Sequence, residues 1–153
     1  MHIQGNGGHA KVVKDLLREL GWMAVWGPRK QFVAVGNNLA RMNEAARLGG
    51  PFATLIHPRA IVSKHAVIGE GSVVMAGAVI QAGVEIGKHV IVNTGATVDH
   101  DCVIDDYAHI APGVHLCGGV FVGEGALMGV GSCAIPKAHV REWSVVKAGE
   151  VVL

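Results

Sequence analysis

The sequence predicts a mainly β protein, a left-handed parallel β-helix preceded by a small α/β domain, and three observations predict it. An apolar residue recurs at every sixth position from Ile56 to Val152 without a break in phase. Residues 1–50 lack that period and show helical spacing instead. Half of the residues are hydrophobic and 22 of 153 are glycine, yet only 5% are aromatic, so aliphatic side chains must fill a narrow, repeated interior joined by many tight turns.

The N-terminal part comes first. Gly5-Asn6-Gly7-Gly8-His9-Ala10 falls between a short strand and a helix, where backbone N–H groups and the helix dipole favour an anion such as a nucleotide phosphate. The pattern matches GxGxxA loosely, as in a shortened Rossmann-like unit. The acidic residue expected after the next strand is missing, because Met23-Ala24-Val25-Trp26 runs into Gly27 and Pro28; a plain structural turn is the alternative. From Ala10 to Leu20, Val12, Val13, Leu16, Leu17 and Leu20 have helical spacing and Gly21 is a stop. Met23–Trp26 and Phe32–Val35 suit buried strands, Gly36, Asn37 and Asn38 a turn, and Leu39–Leu48 a second helix closed by Gly49, Gly50 and Pro51. Residues 1–52 are thus one small α/β domain. Fifty residues are marginal for an independent core, so this unit is expected to lean on the β-helix or on another chain.

Residues 53–153 carry the repeat. Stepping by six from Ile56 gives Val62, Ile68, Val74, Ile80, Ile86, Val92, Val98, Ile104, Ile110, Leu116, Val122, Met128, Ala134, Val140, Val146 and Val152, all apolar. Two residues earlier stands a second inward position, mostly small, with Glu150 as the departure. One large and one small inward residue per six describe a short strand and a bend, and three such units close a triangular coil in which residues 18 apart stack. Seventeen hexads make about 5.7 coils, which at roughly 4.8 Å per stacked strand stand about 27 Å high. The unbroken phase predicts a prism without inserted loops.

Composition narrows the function. A formal charge of +1, from 13 basic and 12 acidic residues, makes no field that attracts nucleic acid or an anionic membrane surface. No apolar run reaches the length of a membrane span and the N-terminus lacks a signal-peptide pattern, so a cytoplasmic protein is expected. Cys102, Cys117 and Cys133 are odd in number and lack CxxC spacing, which indicates neither a disulfide framework nor a structural zinc site.

The densest polar cluster runs from Asn93 to Cys102, followed by His109. In the hexad frame Val98 and Cys102 point inward, which leaves His100 and Asp101 at a corner between two faces. A histidine flanked by Asp99 and Asp101 can serve there as a general base, since a carboxylate fixes the imidazole tautomer; solvated corner polarity is the alternative. Ala82 and Gly118 stack on His100, and Gly118-Gly119 offers backbone N–H groups for an oxyanion. His100, His109 and His115 stack on no other histidine, so no metal site is expected within one chain, and a zinc site between chains stays open as an alternative. His2, His57, His65, His89 and His139 read as surface or turn residues.

The chain resembles the bacterial hexapeptide-repeat acyltransferases that act on nucleotide-linked amino sugars, with the related sialic acid O-acetyltransferases beside them. The resemblance rests on the N-terminal GxGGHxxVV stretch, on His57-Pro58, and on NTGATVDHDCVIDDYAHIAPG at 93–113. It implies transfer of an acetyl group from acetyl-CoA, without a metal, to the amine of a UDP- or GDP-linked dideoxy-amino sugar. His100 would be the general base, Asp101 would raise its basicity, and Asp99 and Asn93 would position imidazole and acceptor. His109 would contact the thioester region, Gly118 and Val130 would line the CoA channel, and Gly7, Gly8 and His9 would hold the nucleotide sugar. Because the frame separates His100 from His109, a working site is expected to take one from each of two neighbours in a homotrimer.

Two departures from the family stand out. Its longer N-terminal domain has a second strand ending in acidic residues that hold the nucleoside, whereas here Gly21-Trp22 leads almost directly into Phe32. The family's C-terminal tail has no counterpart before Leu153, which leaves a strand edge open. Sugar O-acetylation by the same base is the nearest alternative function, and a non-catalytic β-helix is a further one.

Overall fold

The computed structural model describes residues 2–21 and 31–153; the strand expected over Met23–Trp26 lies outside them. The chain opens with β1 (His2–Gln4), α1 (Gly8–Glu19), β2 (Gln31–Val33) and α2 (Asn38–Leu48). β1 and β2 pair in parallel, with Ile3 opposite Phe32. α1 buries Ala10, Val13, Leu16 and Leu17 along one face, the stripe that spacing of three and four residues produces. With Phe32 and Ala34, that face packs against Ala53, Leu55, Val73, Met75 and Ile91 of the β-helix. The small α/β unit therefore completes its core on the prism, as its size requires. α2 starts at Asn37, whose side chain accepts the Ala40 N–H at 2.9 Å.

From Leu55 the chain makes seventeen two-residue strands, β3 (Leu55–Ile56) to β19 (Val151–Val152), one every six residues. They form three parallel sheets of six, six and five strands, in which each strand pairs with the one three places further on. Residues 18 apart are therefore neighbours: Thr97 lies between Val79 and His115, and His109 between Ile91 and Leu127. The second residue of each strand points inward beside the small residue of the bend, so Ile80, Ile86, Val92, Val98 and Ile104 bury with Ala78, Val84, Val90, Ala96 and Cys102. Each large aliphatic side chain so buried stabilises the prism by about 1.5–3 kcal/mol. No loop interrupts the strands.

From Gly71 onward each bend ends in a left-handed backbone conformation. Glycine takes most of these places, while His89, Asp101, Tyr107, Lys137 and Trp143 adopt it with φ between 54° and 63°. The N–H of such a residue bonds to a carbonyl one coil back, as in Tyr107 to Lys88 at 2.8 Å and Gly125 to Asp106 at 2.9 Å. Its own carbonyl stands outside that ladder. Along the corner column of residues 89, 107 and 125, α2 supplies the missing donors: Arg41 Nε bonds the His89 carbonyl at 2.7 Å, Arg41 Nη2 the Tyr107 carbonyl at 2.6 Å, and Asn38 Nδ2 the Gly125 carbonyl at 2.9 Å. α2 thus clamps three successive coils through their corner carbonyls.

Two of the histidines expected at the surface or in turns are buried. His89 does lie in a bend but is only 3% exposed, because the N-terminal unit covers it. Its ring stacks on Tyr107 with centroids 5.3 Å apart and meets Phe52 edge-on at 4.5 Å. His57 is 7% exposed, and its Nδ1 accepts the Arg59 N–H at 3.0 Å.

The stacking makes a stability prediction. A Cβ at Gly69 would lie 2.5 Å from the Gly87 carbonyl oxygen, whereas one at Gly95 would meet open space and suffer only the strain of φ +67°. In urea unfolding, Gly69→Ala should therefore cost about 3 kcal/mol and Gly95→Ala about 1 kcal/mol. Equal losses at both positions contradict the coil-on-coil contact.

Candidate active site

His100 and Asp101 occupy the bend after strand β10 (Thr97–Val98). Asp101 takes the left-handed conformation, φ 59°, which turns its carboxylate back toward the preceding ring. Its Oδ2 accepts from His100 Nδ1 at 2.8 Å, while Asp99 Oδ1 accepts the His100 backbone N–H, also at 2.8 Å. The protonated nitrogen is thereby fixed as Nδ1, and Nε2 is left as the acceptor. The carboxylate of Asp101, then that of Asp99, holds the His100 pKa above its usual 6.5.

The ring is exposed on one side and closely backed on the other. A Cβ at Gly118 would lie 2.6 Å from His100 Nε2, so the absence of a side chain on the next coil is what admits the imidazole. The ring itself fills the gap over Gly118. Asp101 uses Gly83 on the preceding coil in the same way, and a Cβ there would strike its Oδ1. The Gly119 N–H is already bonded to the His100 carbonyl at 2.9 Å, which leaves Gly118 as the backbone donor beside the ring. Beside this corner a cleft of about 320 Å³ is lined by Gln81, Thr97, Asp99, His115 and Cys117, with Thr97 Oγ1 and His115 Nδ1 2.8 Å apart.

A second polar cluster lies under the N-terminal unit. Asn93 Oδ1 accepts the Thr94 N–H at 2.9 Å, so its amide nitrogen faces His109 Nε2, at 3.2 Å. Burial, with the positive charge of Arg41 added, lowers the pKa of His109 to about 4, and lowers that of His9 likewise to about 4. His9 stands at the start of α1, with its Nε2 buried and unbonded. Gly5, Asn6, Gly7, Gly8 and His9 line a cleft of about 370 Å³ against Ala34, Val35 and Gly36.

The structure therefore brings His100, Asp99, Asp101 and Gly118 together at one corner, and Asn93 and His109 together at another place, with His9 in the cleft of the N-terminal unit. It does not bring the two groups together within a chain: His109 lies on β12 (His109–Ile110), in a different sheet from the β10 strand that His100 follows, and its hydrogen-bond partner is Asn93. Asn93 bonds His109 and not His100. Val130 is 57% exposed on the coils above. Arg41 is the residue that sequence reasoning missed. It is buried on the same helical face as Ala45, whereas Arg47 of that helix pairs with Glu44 at the surface. Among the described residues no cluster of three metal-ligating side chains forms, and no helix is long and apolar enough to cross a membrane.

The family model for bacterial transferase hexapeptide (six repeats) matches residues 65–100. The acetyltransferase domain of PglB from Neisseria gonorrhoeae is 39% identical, with a TM-score of 0.90 over 99% of this chain and 90% of that one. The same domain is known in complex with acetyl coenzyme A, again at 39% identity and a TM-score of 0.90, covering 99% and 89%. PerB from Caulobacter crescentus, in complex with CoA and GDP-perosamine, is 38% identical, with a TM-score of 0.90 over 99% and 87% of the two chains. No curated protein sequence matches the chain.

The two clusters should titrate oppositely. By NMR, His100 should show a midpoint above 6.5, falling toward 6.5 in Asp101→Asn, while His109 and His9 stay neutral to their midpoints of about 4. A His109 midpoint near 6.5 would contradict its enclosure beside Arg41.

Proposed function

We propose that this chain, which belongs to the bacterial hexapeptide-repeat acetyltransferases, moves an acetyl group from acetyl-CoA to the amine of a nucleotide-linked 4-amino-4,6-dideoxy sugar. A perosamine- or bacillosamine-type acceptor fits this reading, as a step toward surface glycan or glycoprotein. The observation that carries it is the His100–Asp101 pair at an open corner, in a chain 38% identical to a protein held with CoA and GDP-perosamine.

In this mechanism the neutral amine attacks the thioester carbonyl carbon while His100 Nε2 takes the proton that the nitrogen loses. The C–N bond forms and the carbonyl oxygen becomes an oxyanion, for which the Gly118 N–H is the donor on hand. Collapse breaks the C–S bond, and the departing CoA sulfur receives the proton from the His100 imidazolium. Asp101 holds the imidazole orientation and stabilises its charged form, and Asp99 fixes the backbone beneath it. Transfer is direct: Cys102, two residues away, is buried, its Sγ lies 3.1 Å from the Cys117 carbonyl, and burial raises its pKa, so it is a poor nucleophile.

The remaining assignments follow the family. Gly7, Gly8 and His9 hold the nucleotide sugar in the N-terminal cleft of a shortened Rossmann-like domain, residues 1–52. Asn93 positions the acceptor, His109 contacts the thioester region, and Gly118 and Val130 line the CoA channel along a left-handed β-helix, residues 53–153. Because His100 and His109 sit in separate clusters, the complete site forms between neighbours of a homotrimer in the cytoplasm.

Acetyl-CoA turnover against a panel of nucleotide-linked 4-amino sugars and hydroxyl acceptors tests donor and acceptor together. One 4-amino sugar should be acetylated on nitrogen, and His100→Ala should lower kcat by about 10²–10⁴-fold; retained activity in that variant sinks the mechanism. Mixing His100→Ala chains with His109→Ala chains should restore activity in hybrid trimers, and no recovery would count against a shared site.

A further inference from the structure

We propose that Trp143 is the platform on which the sugar ring of the acceptor lies, and that the apolar cleft beside it selects a 6-deoxy over a 6-hydroxy sugar. Trp143 stands in the bend between β17 (His139–Val140) and β18 (Val145–Val146). Its backbone is left-handed, φ 54°, a conformation that most bends of the prism give to glycine and that is costly for a bulky side chain. Burial does not repay this, since Trp143 is 40% exposed. The six-membered ring of the indole lies over Gly125 on the preceding coil, where a Cβ would come within 2.4 Å of Cε3 and 2.5 Å of Cζ3. Only a glycine there lets the indole lie against the prism with its outer face free.

The indole is one wall of a cleft of about 220 Å³, whose apolar lining is completed by Leu39, Leu127 and Val145. Leu39 is 54% and Val145 67% exposed. Asn38 Nδ2, bonded to the Gly125 carbonyl at 2.9 Å, ties α2 to the coil beneath the ring. Two further residues say what the cleft joins. Gly36 lines it and also lines the cleft of Gly7, Gly8 and His9, whereas His109 lines the first alone. Resting on the proposed function, the cleft thus runs from the nucleotide phosphate toward the thioester. In the acceptor a single hexose ring spans that interval, while in CoA the long pantetheine arm separates phosphate from thioester. The volume suits one ring, being below the roughly 300–1,000 Å³ of sites for larger ligands. An aromatic face takes the C–H face of such a ring. The aliphatic walls gain from burying a C6 methyl group, but offer a C6 hydroxyl no hydrogen-bond partner.

Binding and turnover measured side by side test this apart from the transfer reading. By calorimetry on the full chain, a GDP- or UDP-linked 4-amino-4,6-dideoxy hexose should bind about 10–100-fold more tightly than its 6-hydroxy counterpart. Trp143→Gly, for which a left-handed φ is no strain, should weaken the dideoxy sugar nucleotide by about tenfold and leave GDP or UDP alone within about twofold. In the acetylation assay its KM for the sugar nucleotide should rise about tenfold, with that for acetyl-CoA within about twofold. Leu39→Gln, at an exposed position of α2, should reduce the preference for the dideoxy sugar without touching the corner. Unchanged sugar affinity in Trp143→Gly, an equal loss for GDP or UDP, or a KM rise confined to acetyl-CoA would each overturn the assignment. If Trp143→Gly does not fold, an undiminished preference in Leu39→Gln overturns it. Sugar nucleotides that bind in this pattern without being acetylated would refute the transfer and support the platform; failure of all of them to bind would overturn both.

Discussion

Eighteen residues make one turn of the prism, and that single constraint decides which side chain lies above and below every other. Strands of two residues leave no freedom to slip, since a shift by one would turn each buried aliphatic side chain outward. The stacked pairs Thr97 with His115, and His109 with Leu127, are consequences of it. So is the placement of His100 over Gly118 and of Asp101 over Gly83. The same register lines up the carbonyls of His89, Tyr107 and Gly125 along one corner, where Arg41 and Asn38 find them. The His100 corner and the seat of the N-terminal unit are thus two uses of one repeat.

The histidines of these two places are held in contrasting states by opposite means. His100 stands in solvent beside two carboxylates and binds its proton more tightly than a free imidazole. His9 and His109 are enclosed near a buried guanidinium and stay neutral down to about pH 4. A base that cycles through the imidazolium form benefits from the first environment. A group that only orients a ligand through hydrogen bonds benefits from the second, because its donor and acceptor roles do not change across the working pH range. The scaffold achieves both with short, local devices: a carboxylate on the adjacent residue for one, and a helix laid across the coil for the other.

Much of this was legible in the sequence because the hexad is a strict period. The coil length, the unbroken strands, the corner position of His100 and its neighbours Ala82 and Gly118 follow from counting by six. The α/β unit was legible as two helices and a dependent core, but not where it would dock, and for that reason the burial of His89 within its turn was not foreseen. No local pattern reveals that the carbonyls of one corner column need donors, so Arg41 looked like any charged residue of an amphipathic helix. Stacking also showed which glycine N–H groups are spoken for. Gly119 had been paired with Gly118 as an oxyanion donor, whereas the coil-to-coil ladder commits it to the His100 carbonyl.

The proposed reaction depends most on the bare Gly118 backbone, against which the His100 ring is seated. Gly118 does not adopt a left-handed conformation, and the group its Cβ would meet is the exposed imidazole and not backbone. The variant Gly118→Ala should therefore fold with a melting temperature near the wild type's, while kcat for acetyl transfer drops by about a hundredfold as the ring is displaced. Gly118→Ala protein that is equally stable and fully active would contradict it.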